Sequence, residues 1–149
     1  MGVVGRVLRL AVRLERRVER VLADFGLTLW QFDVLATLRR TGAPFCLSPT
    51  DLMREVMLSS GAMTNRIDRL EAKGLVKREP DPGDRRGVQI ILTPKGRRLV
   101  DRAIAARFEE AKEIVGFLTS RQRTTIEAGL GKILLEVEAR ARSNGREKD

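Results

Sequence analysis

Apolar residues recur at helical spacing along most of this chain. Between positions 3 and 25, Val4, Leu8, Ala11, Val18, Leu22 and Phe25 line one stripe, and Val3, Val7, Leu10, Leu14 and Val21 line an adjacent one. Together they form one broad apolar face, with Arg6, Arg9, Arg13, Arg16 and Arg20 mostly around its edges. A face that wide needs more than one neighbour, which points to an interface between chains; a purely internal core is the alternative. Gly26 stands where a residue just past a helix C-cap belongs.

"LTLWQFDVLATLRRTG" predicts a second helix, with Thr28 as N-cap and Gly42 after its end. "PFCL" suits a short strand. Ser48, Pro49 and Asp51 then occupy N-cap, N1 and N3 of a third helix, with Leu52 and Val56 pointing inward. Ser59 or Ser60 caps a fourth helix running to about Lys73, and Gly74 closes it. "LVKREP" reads as a strand, "DPGDRR" as a turn and "GVQIILT" as the returning strand. A long helix follows from Pro94 to about Val115, carrying Leu99, Ala103, Ala106 and Ile114. Thr119 or Ser120 starts a last helix with Ile126, Leu130, Ile133, Leu134 and Val137, and "ARSNGREKD" is expected to fray as a polar tail. The fold class is mainly α with a small β-hairpin wing. With no internal repeat and no dividing linker, 1–149 reads as a single domain, in which 28–94 form a winged helix-turn-helix and 143–149 a polar tail.

Charge narrows the function. Lys and Arg outnumber Asp and Glu by 29 to 20, which favours a polyanionic partner such as double-stranded DNA. One cysteine, Cys46, excludes an intrachain disulfide, and Phe45 and Leu47 beside it suggest burial rather than redox sensing. The chain has no histidine, so the commonest metal ligand and general base are missing. "GLGK" at Gly129 to Lys132 lacks phosphate-loop spacing and lies inside a helical pattern. Glu109 with Glu110, and Glu136 with Glu138, read as solvated faces. Neither an enzyme nor a cofactor is therefore expected. No apolar run nears the roughly 20 residues of a membrane span, and arginines interrupt "MGVVGRVLRLAVRLERR" too early for a signal peptide. A cytoplasmic location without membrane contact is the default.

On the fourth helix, Met63, Ile67, Leu70 and Gly74 fall on one narrow face that packs inward. Ser60, Gly61, Thr64 and Asn65 lie off it near the N-terminal end, where Ser59 also stands. The second helix of a helix-turn-helix meets base edges in the major groove with such residues. Arg69 and Lys73 lie along the outer edge and would meet the phosphate backbone. Asp84, Arg85 and Arg86 sit at the hairpin tip, where a guanidinium fits a narrow minor groove and Asp84 can hold Arg86 in one rotamer. A solvated charged turn is the alternative.

"SSGAMTNRIDRLEAKGLVKREPDPGDRRGVQIILTPKGRRL" resembles the MarR family of bacterial transcriptional regulators, and the likeness covers nearly the whole chain. It implies a homodimer on a pseudo-palindromic operator, with helices in 1–25 and 95–142 forming the dimer interface. Two-fold symmetry would set the two recognition helices about one DNA turn apart.

"FDVLATL" and "SSGAMTNRIDRLEAKGLV" also look like the urate-responsive, PecS-like branch. That resemblance implies a small anionic aromatic effector, such as urate, held by Asp33, Arg66 and Arg78. Asp33 is out of place in an otherwise apolar helix, Arg66 borders the apolar stripe, and Arg78 shares strand parity with Val76. A half-buried carboxylate and two guanidiniums want partners, which an ordinary salt bridge would also supply. Trp30, three residues before Asp33, joins this set, although its own reading is core or interface filling. The branch carries its ligand tryptophan on an extra N-terminal helix that this sequence lacks; either the helix was lost or the chain begins at an internal methionine. The rival reading is a non-specific or architectural DNA-binding protein with no effector.

Overall fold

The computed structural model describes residues 2–56 and 60–146, apart from the side chains of 60–62, 85, 86 and 141–146. The chain forms two compact units, Met1–Phe108 and Glu109–Asp149. Its elements are α1 (Val3–Ala23), α2 (Leu29–Arg40), β1 (Cys46–Leu47), α3 (Pro49–Val56), α4 (Ser60–Ala72), β2 (Val76–Asp81), β3 (Asp84–Leu92), α5 (Pro94–Val115) and α6 (Ser120–Arg146).

The local stop and start signals act as expected. Gln31 Oε1 accepts the Thr28 N–H at 3.0 Å, so the side chain three residues into α2 returns to cap its start. Ser48 Oγ accepts the Asp51 N–H at 3.1 Å at the head of α3. Gly26, Gly42 and Gly74 follow α1, α2 and α4 with φ of 64°, 77° and 67°, a left-handed conformation that glycine adopts without a Cβ penalty.

The first unit is built on Leu22, Val34, Leu35, Leu38, Leu52, Met63, Ile67, Leu70, Ile90 and Val100, all buried. The inward face of α4 is the one its periodicity predicts. On α1 only Val18 and Leu22 are buried; Val3, Val4, Leu8, Leu10 and Val12 are each at least half exposed, from 50% to 68%. Arg39 ties α2 to α5 through Asp101 at 2.7 Å, and the guanidiniums of Arg39 and Arg97 both lie over the Phe45 ring, 5.2 and 5.3 Å from its centroid.

The sheet is antiparallel with order β1-β3-β2. Its hairpin differs from the expectation. The turn is confined to Pro82 and Gly83, and Asp84, Arg85 and Arg86 begin β3 rather than forming the tip. Asp81 Oδ1 accepts the Gly83 N–H at 2.8 Å and closes the turn early. Pairing then passes from Asp81↔Asp84 to Pro80↔Val88, so residues 85–87 form a bulge just behind the tip.

In the second unit, α6 runs to Arg146, so most of the stretch expected to fray is helical. It continues through Ser143, Asn144 and Gly145, all weak helix formers, and Arg140 Nε donates to Glu136 Oε1 at 2.7 Å in the turn before that stretch. Thr119 and Gln122 cap its start: the Thr119 N–H donates to Gln122 Oε1 at 2.9 Å, and the Gln122 N–H to Thr119 Oγ1 at 3.3 Å. Ile126, Leu130, Ile133, Leu134, Leu135 and Val137 on this helix are all exposed. The architecture is mainly α, with a winged helix-turn-helix made by α2, α3, α4 and the β2–β3 hairpin.

Candidate nucleic-acid interface and effector cleft

The recognition helix α4 turns Met63, Ile67 and Leu70 into the core. That leaves Thr64, Asn65 and Arg69 exposed on the other side. Gly61 lies in its first turn, while Ser59 and the side chains of Ser60, Arg85 and Arg86 lie outside the described residues. Asp84 is exposed at the start of β3. Lys73 departs from the sequence reading. Its ammonium does not point outward from α4 but donates to Gly26 O at 3.2 Å and Gln31 Oε1 at 3.4 Å, across the α1–α2 corner. Lys95 Nζ in turn donates to Lys73 O at 2.7 Å.

The four residues of the expected ligand set separate into groups. Arg66 lies over the Trp30 ring, 5.3 Å from its centroid. Asp33, one turn along α2 from Trp30, lines an open cleft of about 480 Å³ with Ala36, Thr37, Arg40, Glu55, Val56 and Ile104. Arg78 does not line this cleft. Its guanidinium donates through Nη2 to Asp68 Oδ1 at 2.6 Å and through Nη1 to Glu71 Oε2.

Asp33 is exposed rather than half-buried, because the cleft is open on its side. The protein mass around it still withholds part of its solvation and pushes its carboxyl above the ordinary carboxylate range, against the pull of the Arg107 guanidinium. Across the cleft, Arg40 Nη2 donates to Glu55 Oε2 at 2.8 Å and links α2 to α3. Sequence reasoning missed Thr37, Arg40, Glu55 and Arg107. The first two stand four and seven residues after Asp33, on the same helical face; the other two are brought in only by the tertiary fold.

The described residues contain no acidic or cysteine cluster fit for a metal ion. None of their helices is long and apolar enough to cross a membrane.

Known proteins share this sequence and fold. A family model described as the MarR family matches residues 25–87. The HTH-type transcriptional regulator PecS of Dickeya dadantii is 35% identical over 133 residues, 89% of this chain and 80% of the relative. The multiple antibiotic resistance protein MarR of Salmonella typhimurium is 32% identical, over 88% of this chain and 90% of the relative. Among solved structures, a mutant MarR from Escherichia coli complexed with operator DNA superposes with a TM-score of 0.75 at 30% identity, over 87% of this chain and 92% of that one. With relatives this similar over most of both chains, this chain belongs to the MarR family, whose members are DNA-binding transcriptional regulators and not enzymes.

Proposed function

We propose that this chain is a ligand-responsive repressor that binds a pseudo-palindromic operator as a homodimer in the cytoplasm and is released by a small anionic aromatic ligand, urate first among candidates. The observation that carries the reading is the pairing of α4, polar on its outer side, with a hairpin whose β3 begins Asp84-Arg85-Arg86, in a chain of net charge +9. Ser59, Ser60, Gly61, Thr64 and Asn65 meet base edges, Arg69 meets phosphate, and Arg85 and Arg86 enter the minor groove, with Asp84 orienting Arg86. The exposed apolar residues of α1 and of α6 support a dimer, because a monomer that left both faces in water would forgo their burial.

The Asp33 cleft, at about 480 Å³, is of a size that holds a small heterocycle. Asp33 accepts a ring N–H, while Arg40 and Arg107 supply the positive charge an anion needs. An anionic ligand competes with Glu55 for Arg40. Winning it would loosen α3 from α2 just ahead of the recognition helix. Release follows only if the ligand binds this loosened state better than the DNA-bound one. Trp30 and Arg66 stack on one another at the N-terminal end of α2, outside the lining of this cleft, and Arg78 is held elsewhere.

The test is titration of the protein onto DNA from upstream of its own coding region, at fixed physiological salt, with and without urate and salicylate. Specific binding relieved by urate is the expected result. Equal affinity for every sequence, with no effect of either compound, would leave an architectural DNA-binding protein instead.

A further inference from the structure

Two carboxylates on α4 are held by one residue of the wing. Asp68 and Glu71 stand three residues apart, on one side of the helix. Arg78 reaches both from β2. Its Nη2 donates to Asp68 Oδ1 at 2.6 Å, its Nη1 to Glu71 Oε2, and its backbone N–H to Glu71 Oε1 at 3.0 Å. Both oxygens of Glu71 are therefore bound by the same residue. The strand position itself is anchored, because Arg78 pairs with Ile90, which is fully buried. Burial works against the guanidinium charge, yet the bonds to Asp68 and Glu71 outweigh it and leave Arg78 above its ordinary range.

Only Lys73, Gly74 and Leu75 separate α4 from β2, and Gly74 has a φ of 67°. The bonds Gly74 N–H to Glu71 O at 2.8 Å and Leu75 N–H to Leu70 O at 3.0 Å shape that turn. They lie close to the pivot and resist tilting of the hairpin poorly. Arg78 lies further along the arm. From the pivot at Leu75 to the tip at Gly83 a strand rising about 3.3 Å per residue spans about 26 Å, so a tilt of about 7° moves the tip by about 3 Å. That is the full reach of a hydrogen bond.

We propose that Arg78 is a positioning residue for DNA reading: by forking onto Asp68 and Glu71 it fixes the angle between recognition helix and wing, so that major-groove and minor-groove contacts form together. The proposal rests on the reading of α4 and the hairpin as the DNA-contacting elements. It has a counter-intuitive consequence. Asp68 and Glu71 are negative charges on a helix that approaches a polyanion. Charge alone dictates that neutralising them tightens binding to any DNA; loss of the clamp weakens binding to the specific site.

The experiment uses the full chain and two duplexes: one selected by the wild type from a random-sequence library, and a scramble of it. Affinities are measured by fluorescence anisotropy over a salt series for wild type, Glu71→Gln, Asp68→Asn, Arg78→Lys, Arg78→Gln and the Glu71→Gln/Arg78→Lys double variant. Arg78→Lys keeps the charge but cannot fork onto two carboxylates. Glu71→Gln and Arg78→Lys are each expected to lose at least about tenfold on the selected site, with unchanged or tighter binding to the scramble and an unchanged salt slope for Arg78→Lys. The double variant is expected to be no worse than the weaker single. Equal tightening on both duplexes by Glu71→Gln overturns the clamp. So does an Arg78→Gln loss that is equal on both duplexes and lowers the salt slope by about one, the signature of a direct phosphate contact. If the wild type selects no sequence, the DNA-reading assignment itself fails and takes the clamp with it. Circular dichroism melts accompany each variant; should Arg78→Gln not fold, Asp68→Asn, which leaves the Glu71 bonds in place, decides by the same criteria.

Discussion

Replacing Gly96 by alanine tests how the base of the wing is joined to α5. An added Cβ would stand 2.1 Å from Leu75 O and 2.9 Å from Leu92 Cδ1, inside any permitted contact. Leu75 O has little freedom to move, because it accepts the Thr93 N–H at 3.1 Å and the Thr93 hydroxyl at 3.1 Å. Thr93 Oγ1 in turn accepts the Gly96 N–H at 3.0 Å. The first turn of α5 must shift, which weakens two or three of these bonds at about 1 kcal/mol each. Overpacking adds about 1–3 kcal/mol, and the better helix propensity of alanine returns about 1 kcal/mol. The net loss is about 2–5 kcal/mol by that reckoning. It is read as a fall in the urea midpoint at unchanged slope, followed by circular dichroism at one fixed protomer concentration. Thr93→Val, which also removes the hydroxyl bond to Gly74 O at 2.8 Å, is expected to cost about 1–3 kcal/mol. The pair should lose less than the sum, since both act at Leu75 O. A Gly96→Ala protein within about 0.5 kcal/mol of wild type would refute this account of the joint.

Asp33→Asn is expected to leave operator affinity intact, to dull the response to ligand, and to stabilise the chain at neutral pH. Because the folded carboxyl titrates above its ordinary 3.8, the native state holds the proton more tightly. Wild-type stability thus falls as pH rises between those two values and stays lowered above them. Urea midpoints across that range should show the advantage of the asparagine shrinking as pH falls, and an asparagine variant less stable than wild type at pH 7 contradicts the argument. Lys73→Met should cost about 1 kcal/mol of stability and leave the salt slope of DNA binding alone. Arg86→Ala should weaken operator binding and lower that slope by about one; the reverse pattern would return Lys73 to the phosphate backbone and remove Arg86 from it.

The parts of this fold legible in the sequence are those decided within one turn. The Thr28 N-cap, the Ser48 cap and the glycine after α4 depend on neighbours three or four residues away, and sequence shows those directly; the Gln31 bond back to Thr28 completes the first of them. "DPGDRR" reads as one broad turn because four of its six residues suit turns, and only the Asp81 to Gly83 bond selects two of them. The polarity of "ARSNGREKD" suggests fraying, whereas α6 continues to Arg146, the Arg140–Glu136 bond bracing the turn before that stretch. Asp33 stands out in the sequence as an acid in an apolar helix, and strand parity puts Arg78 on the side of β2 where the carboxylates of α4 meet it. Their partners were not legible. Glu55 reaches Asp33's cleft, the Arg107 charge reaches its carboxylate, and Gly26 reaches Lys73 from 47 residues away, only through the packing of helices.

The outer edge of β2 has a consequence for life at high local concentration. An edge strand with free N–H groups invites another chain to zip onto it. Here the Arg78 N–H is already taken by Glu71. Pro80, two residues on with the same parity, has no N–H to offer. The opposite edge, β1, is two residues long. Crowded together on neighbouring DNA sites, such hairpins present no ladder to one another, so they can be both exposed and slender without seeding aggregation.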